Sequence, residues 1–228
     1  MSSDPATTAA LETSKAAAVR GMLIVVSSPS GGGKGTLIKR ALNSVSNLGY
    51  SVSYTTRAPR PGETNGREYF FVSPARFEEM AQAGEFLESA NVHGYLYGTS
   101  REQVERERLA GRDIILEIDV QGAASIRGMV DDAVTIFILP PSFEVLRQRL
   151  IARATDPPAD LERRLLGAPA EVKQYKDFQY VILNDDVEGA ANQLVAIITA
   201  ERARRERQGA KVTSALADFS GDSNQNIT

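Results

Sequence analysis

The sequence predicts an α/β fold in three layers: a central, mostly parallel sheet with helices on both faces, a small inserted lobe and a helical lid. Three observations carry that expectation. Short apolar runs at 22–27, 113–119, 134–138 and 180–183 alternate with helix-like segments, the pattern of strands covered by helices. The first run ends in a Gly-rich turn, Ser28-Pro29-Ser30-Gly31-Gly32-Gly33-Lys34-Gly35-Thr36, which opens a helix. Two later runs end in polar side chains, Glu117 and Asp119 in one and Asn184 in the other. Ligands of such sheets bind beyond the carboxyl ends of the strands.

A buried strand, a Gly-rich turn and a helix start form the context of a phosphate-binding loop, or P-loop. Glycines let successive backbone N–H groups turn inward, and the helix behind adds unpaired N–H groups and partial positive charge. Lys34 then supplies a mobile full charge for the outer phosphates. The match to G-x-x-x-x-G-K-[ST] departs at both ends. Ser28 stands at the first Gly and Gly35 at the usual hydroxyl, with Thr36 one residue further on. A flexible turn is the alternative, and the flanking strand and helix weigh against it.

Composition sets the bounds. A chain of 228 residues suffices for one such domain with small insertions. Hydrophobic residues at 42% and charged residues at 24% are ordinary for a globular protein. A net charge of −3 argues against bulk nucleic-acid binding. Cysteine is absent, which excludes a disulfide framework and a Cys-based zinc site. No apolar run is long enough to span a membrane, and the Ala-rich start lacks the apolar stretch of a signal peptide. A cytoplasmic protein is expected. Residues 1–20 and 209–228 read as disordered tails around a body at 21–208.

Within that body the core is expected at 21–52, 100–140 and 170–208, the lobe at 53–99 and the lid at about 141–169. Residues 50–54 alternate as a short strand. Arg57 and Arg60 follow, in a turn braced by Pro59, Pro61 and Gly62. Guanidinium forks suit phosphate oxygens. Residues 69–72 read as a strand, and Ser73-Pro74 opens a helix. Residues 86–92 and 95–99 read as a small antiparallel element. Ser100 and Gln103 then form a capping box, and Ser142 caps a helix bearing Arg147, Arg149 and Arg153. A last helix carries Ala191, Leu194, Ile197 and Ile198 on one apolar face.

From about Met22 to Arg202 the chain resembles the guanylate kinases, which move the γ-phosphoryl of ATP to GMP. The resemblance rests on the Gly-rich loop, the segment at 53–63, Tyr97-Gly98-Thr99-Ser100, Glu117-Ile118-Asp119-Val120-Gln121-Gly122, 138–142 and 183–186. It implies that Arg57 and Arg60, helped by Tyr69 and Tyr97, clamp the GMP phosphate. It implies that Glu88 reads guanine with Ser53 and Thr99. A carboxylate can accept from both guanine donors, whereas adenine turns an acceptor toward it, a mismatch that discriminates by about 10⁴ or more. On the donor side it implies ATP binding by Lys34 and the loop from Ser28 to Thr36, with Asn184 near adenine. Arg149, Arg153 and Arg164 would close over the triphosphate. Glu117 and Asp119 would lie near magnesium and the acceptor, with Glu117 acting directly, through water or in guanine support. Mg²⁺ accompanies ATP, near Thr36 and Asp119, and dGMP is the expected second acceptor.

The mechanism implied is in-line transfer without a covalent enzyme intermediate. An ionised GMP phosphate oxygen attacks, so no general base is needed, and alignment and charge neutralisation supply the rate. His93, the one histidine, reads as an ordinary loop residue. Two departures stand out. Lys34-Gly35-Thr36 is the pattern of adenylate kinases, and Ala154 follows Arg153 where the family often has Gly. A kinase for another base and a non-catalytic protein-binding module are the alternatives. The set Ser53, Glu88 and Thr99 speaks against the first, and Lys34 against the second.

Overall fold

The computed structural model describes residues 20–153 and 158–221. β1 (Leu23–Ser27), β7 (Asp113–Glu117) and β8 (Val134–Leu139) are near-continuous apolar runs, as strands covered on both faces must be. With β2 (Leu48–Tyr50) and β9 (Tyr180–Leu183) they form a sheet in the order β2-β7-β1-β8-β9, every neighbouring pair parallel. Alternate residues of β1 face opposite layers. Ile24 and Val26 pack with Leu37 of α1 (Lys34–Ser44) and Leu194 of α7 (Val187–Arg202). Leu23 and Val25 pack with Val104 of α3 (Arg101–Leu109) and Ile126 of α4 (Val120–Met129). Full burial of each such side chain contributes about 1.5–3 kcal/mol. The three-layer α/β expectation therefore holds.

The lobe is a second sheet in the order β4-β3-β6-β5. Its strands are β3 (Tyr54–Thr55), β4 (Phe70–Phe71), β5 (Phe86–Val92) and β6 (Tyr95–Ser100). Phe86 packs there against Phe77 and Met80 of α2 (Pro74–Gln82). Ser73 accepts the Arg76 N–H at 3.2 Å and Pro74 takes the first helical position, a cap worth about 1 kcal/mol. Ser100 caps α3 in the same way, accepting from Gln103 N at 3.2 Å. Gln103 does not complete the reciprocal box, because its side-chain oxygen accepts from Ser51 Oγ at 3.3 Å.

Two expectations need correction. Residues 50–54 are not one strand. Tyr50 ends β2 in the large sheet and Tyr54 begins β3 in the lobe. The backbone changes partners between them: Ser51 N donates to Ile115 O at 2.9 Å, and Ser53 O accepts from Phe70 N at 2.9 Å. The tail read as disordered from 209 instead forms α8 (Gly209–Gly221). Val212, Leu216 and Phe219 recur there at helical spacing, a repeat diluted by the polar residues beyond it. The expected tail at 1–20, apart from Arg20, and residues 222–228 lie outside the described residues.

α5 (Phe143–Arg153) and α6 (Pro158–Lys173) share a small core of Leu146, Leu150 and Ala168. α6 continues to Lys173, beyond the expected lid boundary at 169. Ala154 and Thr155 lie outside the described residues, as does the side chain of Arg153.

Phe137 is fully buried, with its ring centroid 5.1 Å from that of Phe178. Phe137→Ala should lower the free energy of unfolding in urea by about 3–5 kcal/mol, and a loss below about 1 kcal/mol would contradict tight packing of this layer.

Candidate active site

A cavity of about 900 Å³ opens at the carboxyl ends of β1, β7 and β9, walled by the Gly-rich loop, the lobe and the two lid helices. The loop turns tightly. Ser28 Oγ donates to Pro29 O at 2.8 Å and Gly32 N to the same carbonyl at 3.0 Å. Pro29 itself is buried and lies behind the cavity wall. Gly33 caps α1 with φ 94°, a left-handed conformation that strains other residues. A Cβ on Gly33 would also lie 2.3 Å from Asn184 Nδ2. Lys34 and Thr36 follow on the first turn of α1, both on the cavity wall.

Asn184 extends beyond the end of β9 and is buried. Its Nδ2 donates to Gly32 O at 2.8 Å, so it braces the loop. Arg149 of α5 donates to Asn184 O at 3.0 Å and lies 3.5 Å from Gly32 O. Arg164 of α6 donates to Ser30 Oγ at 2.8 Å, and Ser30 N donates to Glu171 Oε2 at 3.1 Å. Both lid helices thus rest on the loop. α6 also reaches the turn between β5 and β6: Arg163 donates to His93 O, and Glu171 Oε1 lies 3.8 Å from His93 Nε2. His93, expected to be an ordinary loop residue, lies on the cavity wall with φ 53°. Burial lowers its pKa below the ordinary value, with Arg164 and Arg163 adding to the effect and Glu171 opposing it.

On the lobe side, a register shift between Phe86 and Glu88 separates two side chains that a regular strand would place on one face. Phe86 enters the lobe core while Glu88 faces the cavity. Glu88 Oε1 accepts from Thr99 Oγ1 at 2.6 Å. Burial raises the Glu88 pKa to about 7. The Thr99 hydrogen bond opposes the shift, and the charge of Asp119 adds to it. Ser53 is buried and Tyr69 and Tyr97 are half-buried, all three on the wall, with the tyrosine rings edge to face at 5.8 Å. Burial, then the Glu117 and Tyr97 charges, raise the Tyr69 pKa and keep its hydroxyl protonated. Thr99 stands behind Glu88 and off the wall.

The two arginines of the basic turn differ. Arg60 is on the wall, whereas Arg57 is buried behind it and donates to Glu63 Oε1 at 2.8 Å. Its guanidinium lies 5.3 Å from the Tyr69 ring centroid. Burial alone would raise the Glu63 pKa, but hydrogen bonds from Arg57 and the Arg60 amide outweigh it and leave the pKa lowered. Glu117 and Asp119 flank the end of β7. Glu117 Oε2 accepts from Tyr50 at 3.3 Å. A Cβ at Gly35 would lie 3.6 Å from both Glu117 oxygens, so the longer carboxylate occupies space beside the missing hydroxyl. Asp119 caps α4 through Gly122 N at 2.9 Å.

The sequence reading assigned no role to Glu63, Glu171 or Tyr50. Glu63 carries a local signal, close after both arginines in a rigid turn. Glu171 and Tyr50 carry none, because Glu171 lies 141 residues from Ser30 and Tyr50 lies 67 from Glu117.

A parallel sheet whose first strand feeds this loop, facing an inserted lobe across one cavity, places the protein among the P-loop nucleotide-binding proteins. Comparison narrows the class. The guanylate kinase family model matches residues 20–201. A guanylate kinase of Nitrosomonas europaea is 48% identical over 87% of this chain and 98% of its own. One from Aromatoleum aromaticum is 50% identical over 82% and 92% respectively. The crystal structure of guanylate kinase from Anaplasma phagocytophilum superposes with a TM-score of 0.70 at 36% identity, covering 83% of this chain and 90% of that one. The chain belongs to the guanylate kinase family.

Because the folded-state pKa of Glu88, about 7, exceeds its ordinary 4.5, the native protein holds that proton more tightly. The resulting stabilisation is complete below the ordinary pKa and is lost as pH rises through about 7. In a ¹³C NMR titration the Glu88 carboxyl should have its midpoint near 7, and Thr99→Val, which removes the donor to the charged form, should raise it. A midpoint near 4.5 would contradict burial of this carboxyl.

Proposed function

We propose that this chain transfers the γ-phosphoryl of Mg-ATP to GMP or dGMP, giving ADP and the guanosine diphosphate. The observation that carries the reading is Glu88, a buried carboxylate bonded to Thr99 and facing the cavity that the phosphate loop also lines. Guanine presents a ring N–H and an amino group side by side, which one carboxylate accepts together. Ser53 suits the O6 acceptor. Arg60, Tyr69 and Tyr97 offer donors to the acceptor phosphate from the same wall. Arg57 joins them on exchanging Glu63 for a phosphate oxygen, which a guanidinium fork accommodates as it does a carboxylate.

On the donor side, the loop amides from Gly31 to Thr36 cradle the β-phosphate and Lys34 spans the outer phosphates. Arg149 and Arg164, already within reach of the loop, neutralise the transferring group, and Arg153, the last residue of α5, is the third arginine that the resemblance assigns to this role. Asn184 supports the loop next to the adenine site. An ionised phosphate oxygen of GMP attacks in line, and no side chain need take a proton. The fit to magnesium follows from the donor set. Among the described residues no group of three or more His, Cys, Asp or Glu could hold a metal alone. That suits an ion bound chiefly by phosphate and water oxygens with one or two protein donors. Thr36, Glu117 and Asp119 are all on the cavity wall for this, and Asp119 also accepts from Gly122 N and from Gln121 at 3.1 Å. The ion supplies charge neutralisation at the transferring phosphoryl.

Among the described residues no helix is long and apolar enough to cross a membrane. A place in cytoplasmic guanine-nucleotide recycling belongs to the same proposal.

The test is ADP formation from Mg-ATP with GMP, dGMP, AMP, UMP and CMP offered separately, and turnover should be confined to the first two. Comparable turnover with AMP would instead favour the adenylate-kinase-like loop signal. Silence in a folded protein that still binds GMP would favour a binding module. Lys34→Ala should lower kcat by about 10²–10³, the loss typical of one transition-state donor. Glu88→Gln should reduce the GMP-over-AMP preference by at least about 10², and an unchanged preference would remove Glu88 from base readout.

A further inference from the structure

Gly122 lies in the first turn of α4, inside a helix and with no left-handed backbone angle. Its backbone has no need of glycine, and alanine is the better helix former there. The space around it is another matter. A Cβ at this position would lie 2.5 Å from Glu88 Oε2 and 3.1 Å from Glu88 Cδ, far inside ordinary contact distance.

Neither supporting element can retreat. Val120, Ala123 and Ile126 fix α4 in the buried layer against β1 and β7, and Asp119 caps the helix through Gly122 N at 2.9 Å. Leu87, the neighbour of Glu88, is buried in that same layer. Only the end of the Glu88 side chain is left to move. Its Oε1 is held by Thr99 at 2.6 Å, so displacement must disturb the one bond that orients the carboxylate.

We propose that Gly122 is a specificity-determining position for the base: by carrying no side chain, it lets α4 seat the Glu88 carboxylate in the orientation that accepts both guanine donors. Gly122 touches no reacting group and acts through Glu88, as a positioning residue. The inference rests on the reading of Glu88 in the proposed function.

The test compares GMP with IMP, which lacks the amino group and so offers Glu88 one donor fewer. In Gly122→Ala the KM for GMP should rise on the order of tenfold and the GMP-over-IMP preference in kcat/KM should fall by a similar factor. The KM for ATP should be unchanged and the Tm little changed, since the better helix former offsets the strain of moving the Glu88 side chain. Adding Glu88→Asp, whose shorter arm clears the new methyl, should cost less than the product of the two single losses. Unchanged KM and preference in folded Gly122→Ala would overturn the proposal. So would a lowered Tm with GMP and ATP parameters falling together, or single losses that simply multiply. Glu88→Gln separates the two claims. If it leaves the preference intact, the Glu88 reading itself fails. If it abolishes the preference while Gly122→Ala does not, only the role of Gly122 fails.

Discussion

A loop that turns its amides toward one point cannot satisfy all its own polar groups or tolerate side chains where neighbours press in. The rest of the molecule is arranged around that constraint. Gly32 O accepts from Asn184 beyond β9. Ser30 is held by Glu171 and Arg164 from α6. Gly31, with φ 84°, sits where a Cβ would come within 2.9 Å of Leu150 on α5. The sheet supplies the rigid end of β1, and the lid helices supply the partners. Besides Asn184, the groups that brace the loop come from α5 and α6, the helices that carry the arginines proposed to act on the transferring phosphoryl. The placement of α5 and α6 and the geometry of the loop are therefore mechanically linked.

The lobe answers a different problem, which is to keep a carboxylate buried yet available. Burial alone drives Glu88 toward its neutral form, and the Thr99 hydroxyl partly restores the charge. In the proposed reading, a ligand that brings two donors supplies what the protein withholds, and guanine is such a ligand. This is discrimination by unsatisfied polar groups, stronger than discrimination by shape. The turn between β5 and β6 links the lobe to α6 through His93, Arg163 and Glu171.

Legibility varied with the range of the signal. The runs that became β1, β7 and β8 were legible because strands buried on both faces announce themselves by composition, while β9, an edge strand with Val181 and Leu183 exposed, was legible only as a short apolar run. Ser73 and Ser100 marked helix starts because a cap is a contact across three residues. Residues 50–54 were misread, since alternation says that a strand exists but not which sheet it joins. Residues 209–221 were misread because composition was averaged across a helix and the polar residues after it.

By itself the sequence determined the α/β architecture, the phosphate loop and the family, since these depend on local periodicity, on glycine's conformational freedom and on motifs in a set order. It also put Glu88, Thr99, Arg60 and Lys34 forward as a set. Only the tertiary structure decided which of these meet, and how. It turned Arg57 to Glu63, re-aimed Glu88 through a strand irregularity, brought Glu171 to the loop and set Gly122 against the Glu88 carboxylate. The physical reason is separation along the chain. Contacts between residues far apart leave no periodic trace, because they are settled by how layers pack and by which buried polar group lacks a nearer partner.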